Sequence, residues 1–270
     1  MATDNNNQNK YVLITGGSNG IGYELAKCFA EDKYNLVLVA RSQDELQQKS
    51  QELTQQYGIS VTTIAKDLFD PKAAFELYDE VKRKGITVNI LVNDAGQGQF
   101  GKFVEQDIQR VLNIIQLNIC SLTVLTQLFL KDMVARNEGK VLQLASIASQ
   151  LPGPWQAVYH ATKAYVLSFS EALISELKDT EVTLTALQPG ATDTDFFNKA
   201  EMQDSKILDS KLSDPAAVAR DGYNALMKGD DKVISGLKNK VMVGMSNVMP
   251  ESMVAEQMNK MQQPKSEEKR

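Results

Sequence analysis

The sequence predicts a doubly wound α/β fold organised on a parallel sheet. Three observations carry this reading. Short apolar runs recur between stretches of helical periodicity, the pattern of βαβ units joined by right-handed crossovers. The first run enters a glycine-rich turn that opens a helix. A chain of 270 residues with 43% apolar content can also bury the core of one such domain.

Taken in order, Tyr11-Val-Leu-Ile-Thr15 is the first strand, Gly16-Gly-Ser-Asn-Gly20-Ile-Gly22 the turn, and Tyr23 to Ala30 the helix. The glycines let the backbone approach a pyrophosphate. The helix start adds unpaired N–H groups and the positive end of its dipole. Gly16, Ser18, Asn19, Gly20, Ile21 and Gly22 are therefore candidate dinucleotide contacts. The second strand is Asn35–Ala40, and the residue after it, Arg41, stands nineteen beyond Gly22. An acidic side chain there would bond the ribose hydroxyls of NAD, whereas an arginine accommodates the 2′-phosphate of NADP. The expected cofactor is NADP(H).

Ser42-x-x-Glu45 marks the next helix as a capping box. A strand at Val61–Ala65 is followed by Asp67, by a helix that Asp70-Pro71 opens and that runs to about Arg83, and by a strand at Val88–Val92. That strand ends in Asn93-Asp-Ala-Gly96. A long, largely apolar segment from Val104 to about Arg136 contains Asn118, which the fold carries toward the ligand-binding edge. Gly139–Ala145 reads as a buried strand whose C-terminal edge presents Ser146, and ligands of open parallel sheets bind at that edge.

The next helix, from Gln156 to about Lys178, holds Tyr159 and Lys163 at i and i+4 on one face. An ammonium beside a phenol favours the phenolate and lowers its pKa from the usual ~10. Such a phenol can exchange a proton with a reacting oxygen. Glu181–Gln188 is a further strand, leading into Pro189-Gly190-Ala-Thr192. Residues 193–213 are polar with scattered apolar side chains and read as a substrate lid. Phe196 and Phe197 either face an apolar substrate or pin the loop to the body. Ser213-Asp214-Pro215 then opens another helix.

The catalytic domain is expected over residues 10–236, and residues 237–261 form a methionine-rich extension. Val254, Met258 and Met261 share one helical face there, suited to covering the cleft or meeting another subunit. Both ends, 1–9 and 262–270, read as flexible.

Composition excludes other chemistry. With a net charge of −5 and interspersed signs, nothing attracts nucleic acid or an anionic membrane. The N-terminus lacks the apolar core of a signal peptide, and no apolar run approaches the ~20 residues of a membrane span, so a cytoplasmic protein is expected. Cys28 and Cys120 lie far apart in helical patterns and read as core residues, not as a disulfide or a metal site. The one histidine, His160, lies about 100° around the helix from Tyr159. It leaves little on which to build a hydrolytic triad.

Together, Thr15-Gly-Gly-Ser-Asn-Gly-Ile-Gly22, Asn93-Asp-Ala-Gly96, Asn118, Ser146, Tyr159-x-x-x-Lys163 and Pro189-Gly190 resemble the short-chain dehydrogenase/reductase family over about residues 11–235. A branch similar to 3-oxoacyl reductases is among those the resemblance admits. It implies a single Rossmann domain with a seven-stranded sheet, assembled as a homodimer or homotetramer through its long helices. By the same resemblance Tyr159 is the general acid of reduction, Lys163 lowers its pKa and holds the nicotinamide ribose, Ser146 bonds the substrate oxygen, and Asn118 holds a water. Asp67 would meet the adenine, Asn93, Ala95 and Gly96 the adenosine side, and Pro189, Gly190 and Thr192 the nicotinamide end. Asp94 departs from the family's usual second asparagine.

The expected activity is NADP(H)-linked hydride transfer to a small-molecule carbonyl or from a secondary alcohol, with an apolar substrate suggested by the lid. A silent cofactor-binding scaffold and an epimerase with tightly held NADP are the alternatives.

Overall fold

In the first strand, β1 (Tyr11–Thr15), Val12 and Ile14 face one side of a sheet and Leu13 the other, and all three are fully buried. The next strand, β2 (Asn35–Ala40), does the same with Leu36 and Leu38 against Val37 and Val39. Strands apolar on both faces need helices on both faces, which is the layering of a doubly wound sheet. The computed structural model describes residues 7–246 and 248–265. The other strands are β3 (Val61–Ala65), β4 (Val88–Asn93), β5 (Gly139–Leu144), β6 (Val182–Gln188) and β7 (Lys232–Ile234). All seven are parallel, in the order β3-β2-β1-β4-β5-β6-β7, so the strand order reverses between β1 and β4.

One face is covered by α1 (Gly20–Glu31), α2 (Gln43–Tyr57) and, as packed through Val218, Tyr223 and Leu226, the later helix Pro215–Lys228. The other carries α3 (Ala73–Arg83) and a long helix that begins as α4 (Ile108–Ile115), loosens into a π-helical stretch at Gln116–Ser121 and continues as α5 (Leu122–Ala135). By length and apolar content this helix is long enough to cross a membrane, which corrects the expectation that no run approached that length. Its interspersed Gln109, Arg110, Asn113, Gln116 and Asn118 hid it from a search for uninterrupted apolar sequence, and here Leu125, Phe129 and Met133 pack it onto the sheet.

Then come α6 (Ala157–Glu176), the short α7 (Phe196–Lys199), α8 (Pro215–Lys228), α9 (Leu237–Ser246) and α10 (Glu251–Gln262). Asp214 caps α8 by accepting from the Ala216 N–H at 3.2 Å, with Pro215 in the first turn. The flexible end expected from residue 262 does not hold at its start. Gln262 is buried at the end of α10, and Ser205 pairs with Pro264 in an isolated bridge. Residues 1–6 and 266–270, the rest of the two expected flexible ends, lie outside the described residues. Cys28 is buried as expected, but Cys120 is exposed, on the outer side of the π-helical stretch.

Candidate active site

At the point where the strand order reverses, the turn between β1 and α1 is built for close approach. Gly16 and Gly20 hold φ of +74° and +56°, conformations that suit glycine. A Cβ on Gly22 would lie 2.5 Å from both the Gly16 carbonyl oxygen and Asp94 Oδ2, so no side chain fits between the turn and the end of β4. Asn19, at the N-cap of α1, makes no side-chain capping bond, so the first-turn N–H groups receive no acceptor from it.

A cavity of about 540 Å³ runs from Gly16, Ser18 and Asn19 past Arg41 to Asp67 and Ala95. The Arg41 guanidinium lies 5.5 Å from the centre of the Phe69 ring, exposed at this cavity's wall. The capping box of α2 is only half made. Ser42 Oγ accepts from the Glu45 N–H at 3.3 Å, while the Glu45 carboxylate turns to accept from Ser18 Oγ at 3.1 Å. An uncapped helix start, a glycine cradle and a long cavity with an arginine at its far wall together fit a dinucleotide.

A second cavity, about 180 Å³, adjoins the first and shares Asn19, Asp94 and Gly96 with it. Its walls include Ser146, Tyr159, Pro189, Gly190, Thr192 and Phe196. Ser146 follows β5 in extended backbone and caps a short 3₁₀ turn at Ile147–Gln150, accepting from the Ala148 N–H at 3.1 Å and donating to the Pro189 carbonyl at 3.3 Å. Tyr159 lies in the first turn of α6, hydrogen-bonded with Ser146 and 5.0 Å from the Phe196 ring, centre to centre. Burial pushes the phenol up to about 12; the bond with Ser146 pulls the other way, and the Asp94 charge adds to the rise.

Lys163 is buried one turn further on. Its Nζ donates to the Leu144 carbonyl at 2.6 Å and sits 5.8 Å from the Tyr159 ring centre. Burial lowers its pKa to about 8, against the raising effect of Asp94. Asp94 answers in kind: burial raises it to about 7, while Lys163 and the Gly22 N–H pull it down, and its Oδ1 has no hydrogen-bond partner among the described residues. Two ionisable groups that stabilise each other's charge thus lie behind the phenol.

A family model described as short chain dehydrogenase matches residues 10–205. The chain belongs to the short-chain dehydrogenase family. Among its curated relatives, the very-long-chain 3-oxoacyl-CoA reductase of Rattus norvegicus is 30% identical over 217 residues, spanning 77% of this chain and 65% of the relative. Its counterpart from Pyrenophora tritici-repentis is 38% identical over 184 residues, or 66% and 53%. The match thus spans between half and two thirds of the length of these relatives. Among solved structures, a short-chain dehydrogenase from Sphingobium yanoikuyae in complex with NADPH is 26% identical with a TM-score of 0.79, covering 89% of this chain and 96% of that one. A bulky-bulky ketone specific alcohol dehydrogenase from Comamonas testosteroni is 25% identical with a TM-score of 0.75, covering 92% and 98%.

Several expectations need correction in this short-chain dehydrogenase. The Tyr159 phenol is raised, not lowered. Lys163 is itself desolvated and directed at Leu144, so burial outweighs any benefit of an adjacent ammonium. Asn118 sits in the π-helical stretch, and both its amide hydrogens are taken, by the Gln97 carbonyl at 2.9 Å and Thr162 Oγ1 at 3.0 Å. Its Oδ1 accepts from the Gln97 N–H at 3.0 Å, so Asn118 clamps the segment after β4 to α6, with both amide hydrogens engaged. Asn93 does not face the adenosine cavity. It is buried inside the fold and donates to Thr126 Oγ1 at 3.0 Å and Gln143 Oε1 at 3.1 Å. Gly22 serves packing of the turn and lines neither cavity.

Ser18, Ile21, Arg41, Asp67, Ala95, Gly96, Pro189, Gly190 and Thr192 do line the two cavities. Phe196 and Phe197 both line the cleft, and Phe197 is also buried against Ala200 and Met202, with Phe196 packed on the same cluster. Sequence reasoning missed Thr194 and Lys199, which line the cleft from residues 193–213. It missed Leu151 as well, which follows the serine turn, whereas Met258 of α10 lies on the face read as suited to covering the cleft and does line it. The methionine face of α10 was a legible signal; the others carry none.

Proposed function

We propose that this short-chain dehydrogenase is an NADPH-dependent reductase of apolar carbonyl compounds, with 3-oxoacyl thioesters as the first class to consider. The single observation that carries this is the Ser146–Tyr159 hydroxyl pair, set in an apolar cleft beside an uncapped helix start. NADPH would supply a hydride to the carbonyl carbon. Gly16, Ser18, Asn19, Gly20 and Ile21 would hold its pyrophosphate, Arg41 its 2′-phosphate, and Thr192 its nicotinamide end. A phenol held near 12 keeps its proton at neutral pH, so Tyr159 can donate it to the oxygen on which charge develops. Ser146 adds a second donor there once its hydroxyl turns from the Pro189 carbonyl, and Lys163 and Asp94 set the charge behind the phenol. The relatives that reduce 3-oxoacyl-CoA favour that substrate class; the NADPH-bound neighbour supports the cofactor.

Residues 193–213 act as the lid in this reading. The Lys199 carbonyl accepts from Gln97 Nε2 at 3.1 Å and from the Arg110 guanidinium at 2.8 Å, tying the lid to the body on one side of the cleft. The protein works in the cytoplasm as a homodimer or homotetramer. Its long helices would meet a second copy through Ile108 and Leu112, which are 62% and 50% exposed.

The test is a screen of ketones and 3-oxoacyl thioesters for NADPH oxidation. Tyr159→Phe is expected to lower turnover by ~10²–10⁴ while NADPH still binds. Full activity in that variant removes Tyr159 from the reaction.

A further inference from the structure

Beyond the reaction cleft, the C-terminal helices enclose a third cavity of about 220 Å³, lined by five methionines: Met242, Met245, Met249, Met258 and Met261. Of the ten methionines in the chain, half therefore lie on this one small space. Val241, Val254 and Leu151 complete an almost wholly apolar lining, with Lys238, Ser246 and Gln257 at its polar edge. Leu151 and Met258 belong to both cavities, each about 6% exposed, and form the common wall between the reaction cleft and the methionine space.

We propose that this space is an annex of the reaction cleft that receives the far end of a linear hydrocarbon chain whose carbonyl lies at Ser146 and Tyr159. The inference rests on the reductase reading above and adds to it where the chain goes. The annex is held in place by polar bonds outside itself. Trp155 Nε1 donates to Asn259 Oδ1 at 2.8 Å, and Ser205 Oγ donates to the Gln262 carbonyl at 2.9 Å. Gln262 Nε2 and His160 Nε2 are 3.0 Å apart, while His160 Nδ1 lies 2.8 Å from the Leu151 carbonyl. A neutral imidazole satisfies both contacts, donating at Nδ1 and accepting at Nε2, and burial does lower the His160 pKa. The histidine next to the acid of the reaction thus ties the cleft wall at Leu151 to the end of α10.

What remains adjustable is the lining. Methionine is unbranched and polarizable and fills an irregular space without fixing its shape, so chains of different length can be accommodated. In this proposal the passage through the common wall opens at Met258, the unbranched one of its two shared side chains. On the outer side, Leu237, Val241, Met245 and Val248 are between 53% and 84% exposed. The annex therefore opens onto a largely apolar rim, with Lys238 as the charged group at its edge. A linear chain fits because the space continues a cleft that already has a polar reacting end and an apolar wall.

The experiment compares NADPH-linked kcat/KM for 3-oxohexadecanoyl-CoA and acetoacetyl-CoA, using the full chain and two variants that fill the annex from its exposed side, Met245→Trp and Val241→Trp. The long-to-short ratio is expected to fall at least tenfold in both, the equivalent of about 1.4 kcal/mol or roughly two buried methylenes. A ratio that holds within about twofold in both variants overturns the annex. A variant that changes only the mass in solution, with the ratio kept, assigns this face to a second copy and overturns it equally.

If the unmodified chain reduces neither thioester, the substrate class proposed above fails and the annex is judged by binding alone. Fluorescence titration with cis-parinaric acid, a linear fluorescent fatty acid, is then expected to show binding that weakens about tenfold in both variants. Absent binding, or equal binding by all three proteins, rejects it.

Discussion

In the proposed function Arg41 is given the choice of cofactor. It leaves β2 at the far wall of the dinucleotide cavity, backed by the Phe69 ring, where a fork of N–H donors suits a 2′-phosphate. Replacing it by Asp is expected to raise the Kd for NADPH at least about tenfold and to bring NADH binding closer to it. Calorimetry with both cofactors decides this, and equal ratios in the two proteins remove Arg41 from selection. Asp94 makes a different argument, through pH. Its carboxyl rises from an ordinary 3.8 to about 7, so the folded state prefers it protonated and loses stability as pH climbs through that window. Asp94→Asn removes the penalty. Its Tm is expected to exceed that of the unmodified chain at pH 8 and to approach it near pH 4. Each 1 kcal/mol of the gain reads as about 2–4 °C in a chain of this size. The same change withdraws the charge that raises Lys163. Any limb of the pH–rate profile that reports the lysine should then move to lower pH, since its charged form has lost support.

At the scale of elements, the turn before α1 and the π-helical stretch before α5 hold the site by different means. The turn works by absence of side chains. A Cβ on Gly22 meets backbone oxygen at 2.5 Å, which cannot move aside, and meets Asp94 at the same distance. Gly22→Ala is expected to lower stability by about 1–3 kcal/mol and to weaken dinucleotide binding. Thermal melts with and without NADPH test both effects, and an unchanged melt would show that the turn relaxes. The π-helical stretch works by a surplus residue that swings Asn118 inward, where it clamps Gln97 and Thr162 behind Gly96. The sequence placed Asn118 correctly in a long helix near the edge. Its role as a clamp was not legible there, because the partners that engage its amide come from two distant segments.

For the molecule as a whole, the two long helices and the C-terminal pair mark the surfaces that remain apolar. Ile108 and Leu112 stand one turn apart on α4 and are exposed, as is Val104 just before it at 88%. If that face joins copies of the chain, Leu112→Arg should halve the mass measured by sedimentation while leaving the melt close to that of the unmodified chain. An unchanged mass would place the assembly elsewhere. Strand β7 also belongs to this scale. Its three residues carry too little pattern to be read alone, and the seventh strand was expected only through the family resemblance.

Periodicity and special residues determined what is local. Six strands, the glycine turn, the caps at Ser42 and Asp214, and the i, i+4 pairing of Tyr159 with Lys163 follow from backbone sterics and helix geometry, which the chain specifies residue by residue. Tertiary structure decided whatever depends on burial and on partners far apart in sequence: a phenol raised instead of lowered, Asn93 turned into the sheet, Asp94 lodged against Gly22, and α10 tied across the cleft by Gln262 and His160. Desolvation and hydrogen-bond saturation are set by the summed surroundings of a group, and those exist only once the sheet has brought its edges together.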